Sequence, residues 1–294
     1  MRYAKISYWL TAATIGRWIG ALILALAIDG VAAQLPDTVS FQSGDGKTQL
    51  TGYLYRPEGA GPFPAIVMLH GRAGPYSSLA KGVYSAATLS QRHKSWGEFW
   101  ARHGYLALHV DSFGPRGYAQ GFSIRSYKSR PAAISEQTVR PLDAYGALAY
   151  LRGRGDVIGD HVGVQGWSNG AMTVLAAIAD PVPGLAQTTL QTGFRAALAE
   201  YPGCSVQAKQ EYRPYAPLLM LLASEDEEVS PAICQRMAQQ TLKRGAQIEV
   251  VVYAGAQHNF DDPGSGKQGN AANNAATRDA YLRAERFFAQ HLRQ

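Results

Sequence analysis

Gly166-Trp167-Ser168-Asn169-Gly170 places a serine between two glycines, at the end of the short apolar run His161–Gln165 and ahead of the apolar stretch Ala171–Ile178. G-x-S-x-G between a strand and a helix marks a strained turn that presents the serine hydroxyl, with glycines where a Cβ would strike neighbouring backbone. The helix that follows offers unpaired N–H groups and its positive end to a developing oxyanion. The chemistry is nucleophilic acyl transfer, which needs a base and a group to orient that base, in the chain order serine, acid, histidine. Of seven histidines only His258 and His291 follow Ser168, and His291 stands near the end of a closing helix, where a surface position is expected. His258 follows the strand Ile248–Tyr253 and is the expected base. Four acidic residues, Glu225, Asp226, Glu227 and Glu228, follow the strand Leu218–Ala223. Asp226 stands at the best distance from the strand end, with Glu225 the runner-up and at least three of the four expected to be solvated. The oxyanion donors are the backbone N–H groups of Asn169, which follows the nucleophile, and of Arg72 in His70-Gly71-Arg72-Ala73-Gly74. His70 precedes the nucleophile and reads as a residue that orients its loop.

These residues need a frame to hold them. Strands are expected at Asp37–Gln42, Gln49–Tyr55, Ala65–Leu69, Tyr105–Val110, His161–Gln165, Ala196–Glu200, Leu218–Ala223 and Ile248–Tyr253. Helical spacing appears over Gln137–Leu151, Ala171–Ile178 and Arg278–Leu292. Unbroken apolar strands alternating with helices indicate an α/β class, a mostly parallel doubly wound sheet with helices on both faces. Pro263–Asn274 reads as a polar surface loop. The aromatic segment Tyr76–Trp100, with Tyr84, His93, Trp96, Phe99 and Trp100, fits either a pocket roof or core packing.

The start of the chain has a different character. Arg2, Lys5 and Arg17 precede the apolar run Trp18–Ile28, and Val31-Ala32-Ala33 supplies small residues for cleavage before Gln34. This is the pattern of a secretory signal peptide over residues 1–33, and eleven apolar residues are too short to span a bilayer. The expected product is residues 34–294 as one domain, periplasmic or secreted, without a stable membrane anchor. The whole chain has 28 basic and 22 acidic residues among 294. Without the leader 25 basic face 21 acidic residues, and no basic cluster remains to suggest a nucleic-acid partner. An oxidising compartment favours a disulfide between Cys204 and Cys234, the only cysteines. No H-E-x-x-H, Cys/His cluster or phosphate loop calls for a metal or another cofactor.

With these residues in place, the sequence resembles the dienelactone hydrolase family of the α/β-hydrolase fold, from about Gln49 to the end. The resemblance rests on HGRAG at 70–74, DSFGPRG at 111–117, GWSNG at 166–170, SEDEEVSP at 224–231 and GAQHNFD at 255–261. It implies Ser168 as nucleophile, Asp226 as acid and His258 as base, and the spacing from Asp226 to Cys234 resembles a secreted branch. The family's namesake enzymes carry cysteine where this chain has Ser168, which favours ordinary ester hydrolysis of a small-molecule ester or lactone. Arg116 and Trp167 are the candidates for contact with substrate, although bracing of its own Gly/Pro loop is the stronger reading of Arg116. A serine peptidase or acyltransferase would share the triad. A non-catalytic binding protein would be expected to lack one of its members.

Overall fold

The computed structural model describes residues 35–124, 126–185 and 188–294, of which Leu35–Gln294 forms one compact unit. The expected signal peptide, residues 1–33, lies outside the described residues. Eight strands form a single sheet: β1 (Asp37–Gln42), β2 (Gln49–Tyr55), β3 (Phe63–Leu69), β4 (Leu106–Asp111), β5 (Val157–Trp167), β6 (Ala196–Glu200), β7 (Leu218–Ala223) and β8 (Ile248–Tyr253). Their spatial order is β1-β2-β4-β3-β5-β6-β7-β8. β2 pairs antiparallel with β1 and β4, and every pairing from β4 to β8 is parallel.

Period-2 alternation divides the strand side chains between two cores. Val67, Leu69, Val164, Ala197 and Met220 face one layer, where they pack with Leu148 of α2 (Arg140–Arg152), Val174 of α3 (Asn169–Ala177) and Met237 of α4 (Pro231–Leu242). Ile66, Met68, Leu198 and Leu221 face the other, with Trp96 and Trp100 on one helix and Phe288 on another. Those two helices are α1 (Gln91–Arg102) and, after the short α5 (Ser265–Gln268), the closing α6 (Ala271–Leu292). Because both faces are covered, the strands read as continuous apolar runs.

Two expectations need correction. The strand expected at His161–Gln165 begins earlier and runs to Trp167, so it delivers the chain directly to Ser168. The segment read as a polar loop, 263–274, instead contains α5 and the first turn of α6. Asn270 caps α6 by accepting the N–H groups of Ala272 and Asn273. Alanines with an asparagine cap favour a helix even where the apolar periodicity is weak. Of the aromatic segment, Trp96 and Trp100 are core residues on α1, while His93 lies beside the site.

Cys204 after β6 and Cys234 on α4 form a disulfide, and both are buried. It ties the loop after β6 to the helix that follows the acidic loop. No helix among the described residues is long and apolar enough to cross a membrane.

Buried histidines set how the fold responds to acid. His70, His93 and His109 are at most 3% exposed. Burial holds each imidazole well below its usual 6.5, with Arg140 adding to the effect at His70 and Arg92 at His93, which falls to about 3. Such groups stay neutral when folded and take up a proton when unfolded, so stability present above pH 6.5 is lost on acidification. Each contributes about 1.4 kcal/mol per pH unit. Burial pushes the Glu200 and Asp111 carboxyls upward, and these offset at most two of the three histidines between about pH 4.5 and 6. The unfolding free energy from urea melts is therefore expected to fall between about pH 6 and 5, by about 1 kcal/mol or more. A flat or rising profile would contradict this.

Candidate active site

β3, β5, β7 and β8 run parallel, so the loops at their carboxyl ends emerge at one edge of the sheet, where such folds gather their ligands. β5 ends at Trp167 and α3 begins at Asn169, leaving Ser168 alone in the turn at φ 51° and ψ −112°. A non-glycine residue at positive φ is strained and persists only where its surroundings fix it. Here the Ser168 N–H donates to the Glu200 carbonyl at 2.9 Å, and the Ser168 carbonyl accepts from the Met172 N–H at 2.9 Å.

Both flanking glycines are required sterically. A Cβ on Gly166 would lie 2.5 Å from the Gly170 carbonyl, and one on Gly170 would lie 1.9 Å from the Leu69 carbonyl oxygen and 2.7 Å from that of His70. Gly170→Ala therefore pushes α3 off the end of β3 and is expected to destabilise the fold by about 3 kcal/mol or more. Gly155→Ala, whose Cβ would meet nothing within 4 Å, should stay within about 0.5 kcal/mol. Urea melts of the two variants check the pair, and equal midpoints would contradict the steric account.

Ser168 Oγ lies 3.0 Å from His258 Nε2, and His258 Nδ1 lies 2.8 Å from Asp226 Oδ2. A carboxylate only accepts, so Nδ1 carries the proton and Nε2 turns its lone pair to the serine hydroxyl. The other Asp226 oxygen accepts the N–H groups of Glu228 and Val229, both at 2.9 Å. The Asp226 and His258 side chains are each 1% exposed, so water does not compete for this chain of bonds. The Tyr201 ring packs edge-on against the imidazole at 4.8 Å, and its hydroxyl donates to Asp261 at 2.5 Å.

Two residues of the acidic loop, Glu225 and Glu227, face solvent. Glu225 is exposed, Glu227 accepts the His258 backbone N–H at 3.0 Å and pairs with Lys267, and Glu228 holds Arg72 with both oxygens at 2.8 and 3.0 Å. The expectation that at least three of the four are solvated is thus corrected. No local pattern announces the Arg72–Glu228 pair, which joins positions 156 residues apart.

The backbone N–H groups of Arg72 and Asn169 have no protein acceptor among the described residues, so both are available to a ligand. Their supports are specific. His70 Nε2 accepts the Ser112 N–H at 3.2 Å and Nδ1 donates to the Gly71 carbonyl at 2.7 Å, which fixes a neutral tautomer and pins the loop. The buried Arg140 donates to the His70 carbonyl at 2.6 Å. Arg130, its guanidinium over the rings of Phe122 and Tyr127, donates to the Asn169 side chain at 2.9 Å. Tyr201, Arg130 and Arg140 had no motif to single them out.

Two sequence candidates lie elsewhere. Arg116 grips the buried Asp143 with two bonds of 2.8 Å and the Ser112 carbonyl with a third, so it braces the framework and leaves no free fork for a substrate carboxylate. Trp167 is fully buried in the layer of α1 and α6, against His93 and Trp96, and does not line the site.

Two cavities meet at Ser168 and Arg72. One, of about 540 Å³, is also lined by His258, Ser78, Ser90, Gln91, Arg92 and Asn259. The other, of about 630 Å³, is also lined by Asn169, Ile124, Tyr127, Met172, Val206 and Val229.

A sequence model of the dienelactone hydrolase family matches residues 50–292. Among solved structures, a dienelactone hydrolase-like promiscuous phosphotriesterase from metagenomic libraries is 19% identical, with a TM-score of 0.62, and the match covers 88% of this chain and 99% of that one. Esterase 2 of Thermogutta terrifontis is 18% identical with a TM-score of 0.59, over 85% of this chain and 93% of that one. At these identities the likenesses show the α/β-hydrolase fold.

Proposed function

The chain belongs to the dienelactone hydrolase family, and from that premise we propose that it is an exported serine hydrolase cleaving carboxylic esters or lactones through an acyl-enzyme on Ser168. The observation that carries the reading is the unbroken chain from Ser168 Oγ through His258 to Asp226, with bonds of 3.0 and 2.8 Å. Ser168 Oγ attacks the ester carbonyl as His258 Nε2 takes its proton, and Asp226 stabilises the imidazolium. The carbonyl oxygen becomes an oxyanion held by the N–H groups of Arg72 and Asn169, each worth about 3 kcal/mol to the transition state. The carbon–oxygen bond to the leaving alcohol then breaks and His258 returns the proton to that oxygen. Water repeats the sequence on the acyl-enzyme and frees the acid and Ser168.

Two observations support parts of this reading. The Cys204–Cys234 disulfide fits an oxidising compartment, and thus export after cleavage near Ala33. The Thermogutta esterase, which shares the fold, is phosphorylated by paraoxon, a reactivity expected of an activated nucleophile. The deciding experiment measures kcat/KM of residues 34–294 on a panel of esters, lactones and peptide anilides. Ester or lactone turnover at least about a hundredfold above the anilides is expected, and preferential anilide cleavage would overturn the reading in favour of a peptidase.

A further inference from the structure

The two cavities touch the nucleophile from different sides, and their linings differ in which member of the machinery they reach. His258 lines the smaller cavity and is absent from the lining of the larger one, whereas Asn169 lines the larger one alone. The imidazolium must hand its Nε2 proton to the departing oxygen, so that oxygen lies on the His258 side of the tetrahedral carbon. The acyl chain points away from it. We infer that the smaller cavity receives the alcohol portion of the ester and the larger one its acyl portion. This assignment rests on the acyl-enzyme reading above.

The chemistry of the walls then selects the substrate class. The alcohol cavity presents the hydroxyl, amide and guanidinium groups of Ser77, Ser78, Ser90, Gln91, Arg92 and Asn259 beside apolar surface from Leu79 and Pro263. Arg92 is itself matched by Asp261 and Asp262 and leaves no unbalanced charge for an anion. Ser77, Ser90, Gln91 and Arg92 already bond to protein groups, whereas the Ser78 and Asn259 side chains bond none among the described residues. The cavity therefore suits an alcohol whose further hydroxyl groups can bond these two.

The acyl cavity has apolar walls in Ile124, Tyr127, Met172, Val206 and Val229. Its charged groups pair with one another or with neighbours: Arg72 with Glu228, Arg130 with Glu136, Glu227 with Lys267. Lys209, exposed to solvent, also lines it. Ile124 and Tyr127, 51% and 47% exposed, add apolar surface to this cavity. A volume of about 630 Å³ far exceeds an acetyl group and accommodates an aromatic or medium-chain acyl group. The substrate class is therefore an ester of a polyhydroxylated alcohol with an aromatic or medium-chain acid.

The test is a two-by-two set of esters, acetate and phenylpropanoate of ethanol and of glycerol, with kcat/KM measured for the parent and for Val206→Trp and Ser78→Trp. For the parent, the phenylpropanoate-to-acetate ratio and the glyceryl-to-ethyl ratio are each expected to exceed about ten. Val206→Trp should lower the acyl ratio at least about tenfold and leave the alcohol ratio within threefold, and Ser78→Trp should do the reverse. Both positions lie on cavity walls, and labelling of Ser168 by a fluorophosphonate reports that each variant is folded and activated. Crossed effects, or ratios that stay fixed in labelled variants, overturn the assignment and leave the acyl-enzyme reading standing. A parent that hydrolyses none of the four esters and is not labelled overturns both.

Discussion

Ser168→Ala lowers kcat on p-nitrophenyl acetate by about 10⁴- to 10⁶-fold without loss of fold. The magnitude follows from what the residue supplies, the atom that forms the covalent bond, whose removal leaves only the oxyanion donors and binding. Retention of the fold follows from its place in the turn. The strained φ of 51° is held by backbone bonds to Glu200 and Met172, neither of which uses the hydroxyl. Alanine accepts the same strain, so the melting temperature should stay within a few degrees while turnover disappears. Retention of more than a tenth of the activity would mean that the ester is attacked by another group.

Asp226→Asn should cost about 10⁴ in kcat, nearly as much, although it changes no shape. The Asp226 carboxylate accepts three N–H groups at once, from His258 Nδ1, Glu228 and Val229. An asparagine there keeps its carbonyl oxygen for the two backbone donors and turns its NH₂ toward Nδ1. That geometry moves the imidazole proton to Nε2, where it faces the Ser168 hydroxyl and leaves no lone pair to accept the serine proton. Glu228 cannot take over, because its Oε2 stands 3.7 Å from Nε2, the wrong nitrogen. Kinetics of the variant, with circular dichroism to show an unchanged fold, make the check. A loss smaller than about a hundredfold would remove Asp226 from the triad.

The sequence made legible what is local. Each parallel strand is a short apolar run, and the serine turn carries its steric requirement in two glycines next to it. The acid and base could be ranked because each follows its strand by a few residues. What stayed hidden depends on pairs far apart in the chain. Arg72 meets Glu228 and Arg130 meets Asn169, and nothing near either arginine names its partner. Arg116 was ambiguous for the same reason, since Asp143 lies on α2, a separate element. Trp167 carried an unused signal. Along β5 it shares a face with Gln165, whereas Val162 and Val164 face the opposite layer, so its ring points beneath α1 and not into the site. The start of α6 was missed because its first turns hold asparagines and alanines, which give no apolar stripe to read.

The central claim is that Ser168 is the one activated nucleophile of the chain. Incubating residues 34–294 with a fluorophosphonate, then measuring the intact mass and mapping the labelled peptide, tests it most directly. One adduct per chain on Ser168, absent in Ser168→Ala and strongly slowed in His258→Ala, is the result expected. An unmodified protein, or an adduct on any other residue, would contradict it.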